Sequence, residues 1–278
     1  MIRRFFSTLA IWVLTGLILY FLGGQGSVWL LTVMCVATQW EFYSLLEKMG
    51  RRPFKIFGTS LGVIMLLTPY YAEKIAGVPV EGIQTGVIAV TIVACCLRIL
   101  SERKISERIE TLGATTLGLI YIPFMLTFMV RILTLPGNDD QGLLLILWFV
   151  ITTKFCDVGA LVFGRIFGRH QMSPNTSPKK TWEGAIGGCL TSIVLGFVFT
   201  YLLQDQLPDN FTPLWGALFA LPLSIISIIS DLVESMIKRQ ADQKDSGAFI
   251  PGIGGAFDLT DSFILTAPTA FLLLQLVI

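Results

Sequence analysis

The sequence predicts an all-α polytopic integral membrane protein of about nine transmembrane helices, N-terminus in and C-terminus out. Three observations carry that reading. Mean hydropathy is +0.73 with only 14% charged residues, outside the range of soluble globular chains. Apolar stretches long enough to cross a bilayer, roughly 20 residues each, recur along the 278 residues. When these stretches are threaded alternately through a membrane, seventeen of the 20 Lys and Arg residues collect on one side, as the positive-inside rule requires of the cytoplasmic face.

In chain order the stretches lie near 4–22, 27–46, 55–72, 84–100, 112–134, 142–163, 183–203, 212–233 and 257–277. Arg3 and Arg4 precede the first, which reads as a span and not a removable signal because it is too long and lacks a small-residue cleavage site. The inner segments carry Arg3 and Arg4, then Lys48, Arg51, Arg52 and Lys55, then Arg98, Arg103, Lys104 and Arg108. They continue with Arg165, Arg169, Lys179 and Lys180, and end with Lys238, Arg239 and Lys244. Lys74 and Arg131 are the outer exceptions, and Lys154 falls within a span. The outer connections GGQGS, PGNDDQ and QDQLPDN are short and turn-like. Five cysteines sit in apolar segments without metal-ligand spacing and read as small buried side chains. The chain divides into residues 1–140, about five N-terminal helices, and 141–278, the helices that carry the chemical motifs.

Ionisable residues inside spans are costly and signal function. They are Glu41, Lys154, Asp157, Asp231 and Glu234, with Asp258 and Asp261 at the mouth of the last span. Lys154 and Asp157 are three apart and share a helical face, where they are placed to neutralise each other. Glu41 follows Trp40 at the inner end of its span and reads as reaching the interface. Asp231, Ser235 and Lys238 form one stripe, Asp258 and Asp261 another, and PGIGG lies between. A glycine hairpin there is expected to bring the acidic faces together at the cytoplasmic surface. Converging carboxylates call for a cation, and an all-oxygen set suits Mg²⁺. Lys238, Arg239 and Lys244 supply cationic surroundings for phosphate. A second inner segment, DVGALVFGRIFGRHQMSPNTSPKKTWEG, combines glycines, Arg and Lys with Glu183, a pattern that suits an anionic ligand although it lacks the P-loop spacing. His170, the only histidine, reads as an interfacial loop residue.

These segments together resemble the phosphatidate cytidylyltransferase (CDP-diacylglycerol synthase) family. SMIKRQADQKDSGAFIPGIGGAFDLTD is similar to its S-x-x-K-R-x₄-K-D, PG-x-GG and aspartate-rich pattern. SDLVES resembles GDLxES, and DVGALVFGRIFG with SPKKTWEG resembles its other marked segment. The likeness covers roughly residues 150–265. It departs at Ser230, Ile253 and Leu259, where the family has glycine, histidine and arginine. The resemblance implies transfer of a cytidylyl group from CTP to phosphatidic acid, giving CDP-diacylglycerol and pyrophosphate. It implies Asp231, Asp258 and Asp261 as ligands for Mg²⁺ or another divalent cation, with Ser235, Lys238, Arg239, Lys244 and Asp245 as catalytic residues. It further implies Asp157, Lys179, Lys180, Thr181 and Glu183 as substrate contacts, and a homodimer as the oligomer allowed. A bacterial inner membrane with the site facing the cytoplasm is the expected location. Competing readings are a transporter or channel, and a paralogue acting on another lipid phosphate. Charges crowded on one side of the bilayer, with no inverted repeat, disfavour transport.

Overall fold

The computed structural model describes residues 2–77, 80–102, 107–174, 176–247 and 254–278. The fold is helical and polytopic: among the described residues, seven helices are long and apolar enough to cross a membrane. In order the elements are α1 (Ile2–Lys48), α2 (Lys55–Ala76), α3 (Val80–Ser101), α4 (Arg108–Leu119) and, after a π-helical turn at Ile120–Phe124, α5 (Met125–Thr134). There follow α6 (Asp139–Phe167), β1 (Gln171–Ser173), β2 (Ser177–Thr181), α7 (Trp182–Leu202), α8 (Pro213–Gln240) and α9 (Ala256–Leu274).

Two connections bear on the sequence reading. Within the run Ile2–Lys48 the helical geometry breaks at Gly23, whose φ of 52° and ψ of −134° are not helical, where the GGQGS turn was expected between the first two spans. Glycine tolerates this conformation because it has no Cβ. Further on, the basic segment expected to be a loop forms a two-stranded antiparallel hairpin, in which Gln171 pairs with Thr181 and Ser173 with Ser177. The PGNDDQ turn is as expected: Asn138 caps α6 by accepting the Asp140 N–H at 3.0 Å. The π-helical turn falls at Pro123, which has no N–H to give the helical ladder.

The chain forms two compact units, residues 1–130 with 240–260, and residues 131–239 with 261–278. In the first, the buried Tyr43 hydroxyl donates to the Thr115 carbonyl at 2.8 Å, while Gln39 donates to Tyr43 and to the Gly58 carbonyl. Phe42, Tyr121 and Phe257 form an aromatic cluster beside this network, with centroids 5.5–6.3 Å apart. Glu41 is buried, contrary to the interfacial reading. Its Oε2 accepts hydrogen bonds from the Ser246 hydroxyl at 2.8 Å and the Phe257 N–H at 3.0 Å. The carboxylate thus holds the segment before α9 and caps the start of that helix.

In the second unit α6 and α7 pack along their length. A Cβ on Gly188 would stand 2.6 Å from the Cys156 carbonyl oxygen, and one on Gly184 would stand 2.7 Å from that of Ala160. Small residues let two membrane helices approach closely, as in small-xxx-small interfaces. These glycines therefore serve helix packing, a role that the reading of the 157–184 segment, which ends at Gly184, as an anion site did not anticipate. The cysteines are free thiols, with Cys35, Cys95 and Cys156 buried.

Candidate active site

The second unit contains a cavity of about 290 Å³ where α6, the hairpin, α7 and α8 meet. It is lined by Asp157 and Leu161 of α6, Met172, Lys179, Lys180 and Thr181 of the hairpin, and Asp231 of α8, among others. Four of the five expected substrate contacts, Asp157, Lys179, Lys180 and Thr181, are gathered there with Asp231. The hairpin explains how. Its base is closed by the Trp182 N–H donating to the His170 carbonyl at 3.0 Å, so β2 delivers its lysines just ahead of α7. Thr181 caps α7 by accepting the Gly184 N–H at 3.1 Å.

Glu183, the fifth, is occupied differently. Its Oε2 accepts the N–H groups of Arg169 (3.1 Å) and His170 (3.2 Å), while its Oε1 lies 2.6 Å from His170 Nδ1. The carboxylate fastens the turn after α6 to the start of α7, and His170 is an exposed partner in that clasp.

Beside the cavity, Asp231, Glu234 and Asp261 place one carboxylate oxygen each within 4.8 Å of one another. Asp231 and Glu234 are three residues apart on α8, and Asp261 comes from α9. Each carboxylate faces a lysine. Lys180 pairs with Asp231, Lys238 pairs with Glu234 at 2.7 Å, and Lys154 pairs with Asp261 at 3.5 Å. Lys154 also donates to the Ser262 hydroxyl at 2.6 Å and lies 4.6 Å from the centre of the Phe263 ring. Its ion pair therefore reaches α9, and its charge also acts on its own-helix neighbour Asp157. Ser230, one of the departures, donates its hydroxyl to the Asp261 backbone carbonyl. A glycine there would leave that link between α8 and α9 unmade.

Three carboxylates converging at this range supply oxygen donors of the kind Mg²⁺ takes, so the residues present fit a divalent cation. Glu234 was absent from the expected ligand set, although its spacing of i+3 from Asp231 was a usable signal. Ser235 and Lys238 follow Asp231 on the same helix, and Arg239 lies exposed near its end.

Asp258 belongs to the first unit. Its Oδ2 accepts the Gly255 N–H at 2.8 Å and the Ser246 N–H at 3.2 Å, and lies 3.1 Å from the Ser246 hydroxyl, whose single proton is shared with Glu41. Lys244 and Asp245 immediately precede Ser246 and are exposed. Ile253, and with it most of the PGIGG turn, lies outside the described residues, whereas Leu259 is half-buried in the first turn of α9.

A profile described as the cytidylyltransferase family matches residues 2–277. This chain belongs to the cytidylyltransferase family. Among its relatives, the phosphatidate cytidylyltransferase of Bacillus subtilis is 32% identical over 216 residues, covering 78% of each chain. That of Staphylococcus haemolyticus is 30% identical over 250 residues, covering 87% of this chain and 90% of its own. That of Haemophilus influenzae is 39% identical over 148 residues, covering 53% of this chain and 51% of its own. The chain thus spans about half the length of the last relative and three-quarters or more of the other two.

Proposed function

We propose that this chain transfers the cytidylyl group of CTP to phosphatidic acid, yielding CDP-diacylglycerol and pyrophosphate. The observation that carries the proposal is the cavity that gathers Asp157, Lys179, Lys180, Thr181 and Asp231 in a chain of the cytidylyltransferase family. A phosphate oxygen of the lipid attacks the α-phosphorus of CTP. The new P–O bond forms as the bond to the bridging β-phosphate oxygen breaks, and pyrophosphate leaves with that electron pair. The lipid phosphate is a monoester, largely dianionic near neutral pH because its second pKa is ~6, so it needs little help from a general base.

The demands left to the protein are charge neutralisation and in-line positioning. Lys179 and Lys180 lie on the cavity wall, where they would face nucleotide phosphates. Lys238 and Arg239, with Ser235 between them and Asp231, extend the polar stripe of α8, and Lys244 and Asp245 are further candidates of the motif. Asp231, Glu234 and Asp261 are the residues that would hold a divalent cation, with Asp258 a further candidate from the resembled family. When bound, Mg²⁺ would neutralise developing phosphate charge and fix the geometry of the transfer.

The nucleotide comes from the aqueous phase and the lipid from the bilayer, so the site belongs at an interface. The distribution of basic residues supports placing it on the cytoplasmic side of a bacterial inner membrane, with N-in, C-out topology and nine spans. A homodimer is the oligomer proposed. The reaction is tested by incubating the detergent-purified chain with CTP and phosphatidic acid and measuring CDP-diacylglycerol by mass spectrometry. Product that depends on both substrates is expected; its absence with either phosphatidic acid or other lipid phosphates would overturn the proposal.

A further inference from the structure

The three lysine–carboxylate pairs beside the cavity are not equivalent. Glu234 is 1% exposed and its partner Lys238 14%, so that pair is sealed within the protein. Lys154 is held by three successive residues of α9: the Asp261 carboxylate, the Ser262 hydroxyl and the Phe263 ring. Lys180 and Asp231 are 24% and 28% exposed, and they alone among the six line the cavity. Lys180 also comes from a five-residue strand of a hairpin, not from a packed membrane helix. Lys154 is as accessible, at 29%, but is held by three neighbours. Lys180 is therefore the lysine of the three with both a place on the cavity wall and the reach to change partner.

The geometry points to Lys180 as an exchangeable counterion: it neutralises Asp231 while the cavity holds no ligand and moves to a phosphate when nucleotide and cation enter. This rests on the cytidylyl-transfer reading above and adds to it an order of events within the site. The physical reason is that Asp231 cannot serve a lysine and a cation with the same oxygens at full strength. Unpaired, Asp231 would leave a carboxylate crowded against Glu234 and Asp261. Lys180 removes that penalty in the empty site, and its release then supplies a cation to the incoming phosphate. Lys154 and Lys238 keep their partners throughout and hold α6, α8 and α9 in register.

Binding measurements on the full chain in detergent test the exchange without turnover. Mn²⁺ affinity is read by electron paramagnetic resonance with no nucleotide present. Lys180→Met removes the competitor and should tighten Mn²⁺ binding about two- to fivefold, the range of a partly exposed ion pair. Lys179→Met, which removes an equal charge from the same cavity, should change it by less than half as much. In a second arm, CTP binding is measured by equilibrium dialysis in EDTA. Asp231→Asn should tighten it by freeing Lys180, and the Asp231→Asn/Lys180→Met double variant should lose that gain. Weaker Mn²⁺ binding in Lys180→Met, equal tightening by the two lysine variants, or a CTP gain that persists in the double variant would each overturn the exchange. Failure of cytidylyl transfer alone would leave these signs unchanged, so the two proposals fail separately.

Discussion

Asp231 and Asp261 illustrate how much depends on single side chains. Each is one of three carboxylates within 4.8 Å of one another, and each faces one lysine. Asp231→Asn and Asp261→Asn should each lower turnover by about a hundredfold or more while the protein remains folded, since they weaken both cation binding and charge organisation. Near-normal turnover of either variant across a Mg²⁺ titration would remove that residue from the ligand set. Glu41 should behave differently. It accepts two hydrogen bonds, from Ser246 and from the N-terminus of α9, so Glu41→Ala leaves the buried Phe257 N–H unsatisfied and the Ser246 hydroxyl with Asp258 alone. A loss of about 1–3 kcal/mol is expected, read as a lower thermal midpoint in detergent. An unchanged midpoint would contradict the structural role. At Ile253, where the resembled family has histidine, Ile253→His should alter turnover less than about tenfold. General-base help is worth at most ~10²–10⁴-fold where it is needed, and the attacking phosphate is already anionic. An inactive parent chain revived by the histidine would refute this.

Elements account for most of what the sequence revealed and concealed. The α8 stripe and the SPKKT segment were legible because charges inside apolar helices stand out against their surroundings, and helical spacing then assigns them to faces. The partner of each charge was not legible. Spacing along one helix pointed Lys154 to Asp157 but could not show its ion pair with Asp261, more than a hundred residues away in the chain. Glu41 similarly finds Ser246 through tertiary packing. Glycine was ambiguous for another reason, because close backbone approach looks the same in sequence whether the neighbour is a phosphate or a helix. At the α6–α7 interface the neighbour is a helix. Gly188→Ala would bring a methyl group to within 2.6 Å of the Cys156 carbonyl and should lower the thermal midpoint. Gly113→Ala on α4 meets nothing within 4 Å and should be neutral or stabilising by about 0.5–1 kcal/mol. Equal effects of the two substitutions would show that close packing is not what the α6–α7 glycines provide.

At the scale of the whole molecule, composition alone fixed a polytopic membrane protein, because a mean hydropathy of +0.73 leaves no soluble alternative. Helix count was less legible, since neighbouring apolar stretches run together in sequence, and the first two are parted only by the break in helical geometry at Gly23. The proposed topology is testable in a version freed of native cysteines. Arg52→Cys and Pro174→Cys should be labelled only from the cytoplasmic side and Asp209→Cys only from the other. Labelling of position 174 from outside would invert the topology and deny the hairpin access to CTP. The central claim is tested most directly by pyrophosphate release from the purified full chain. With CTP, phosphatidic acid and Mg²⁺ together, release should be matched by CDP-diacylglycerol and should fall to background when any one is omitted or when ATP or GTP replaces CTP. Release independent of lipid, or none with any lipid phosphate, would contradict the account.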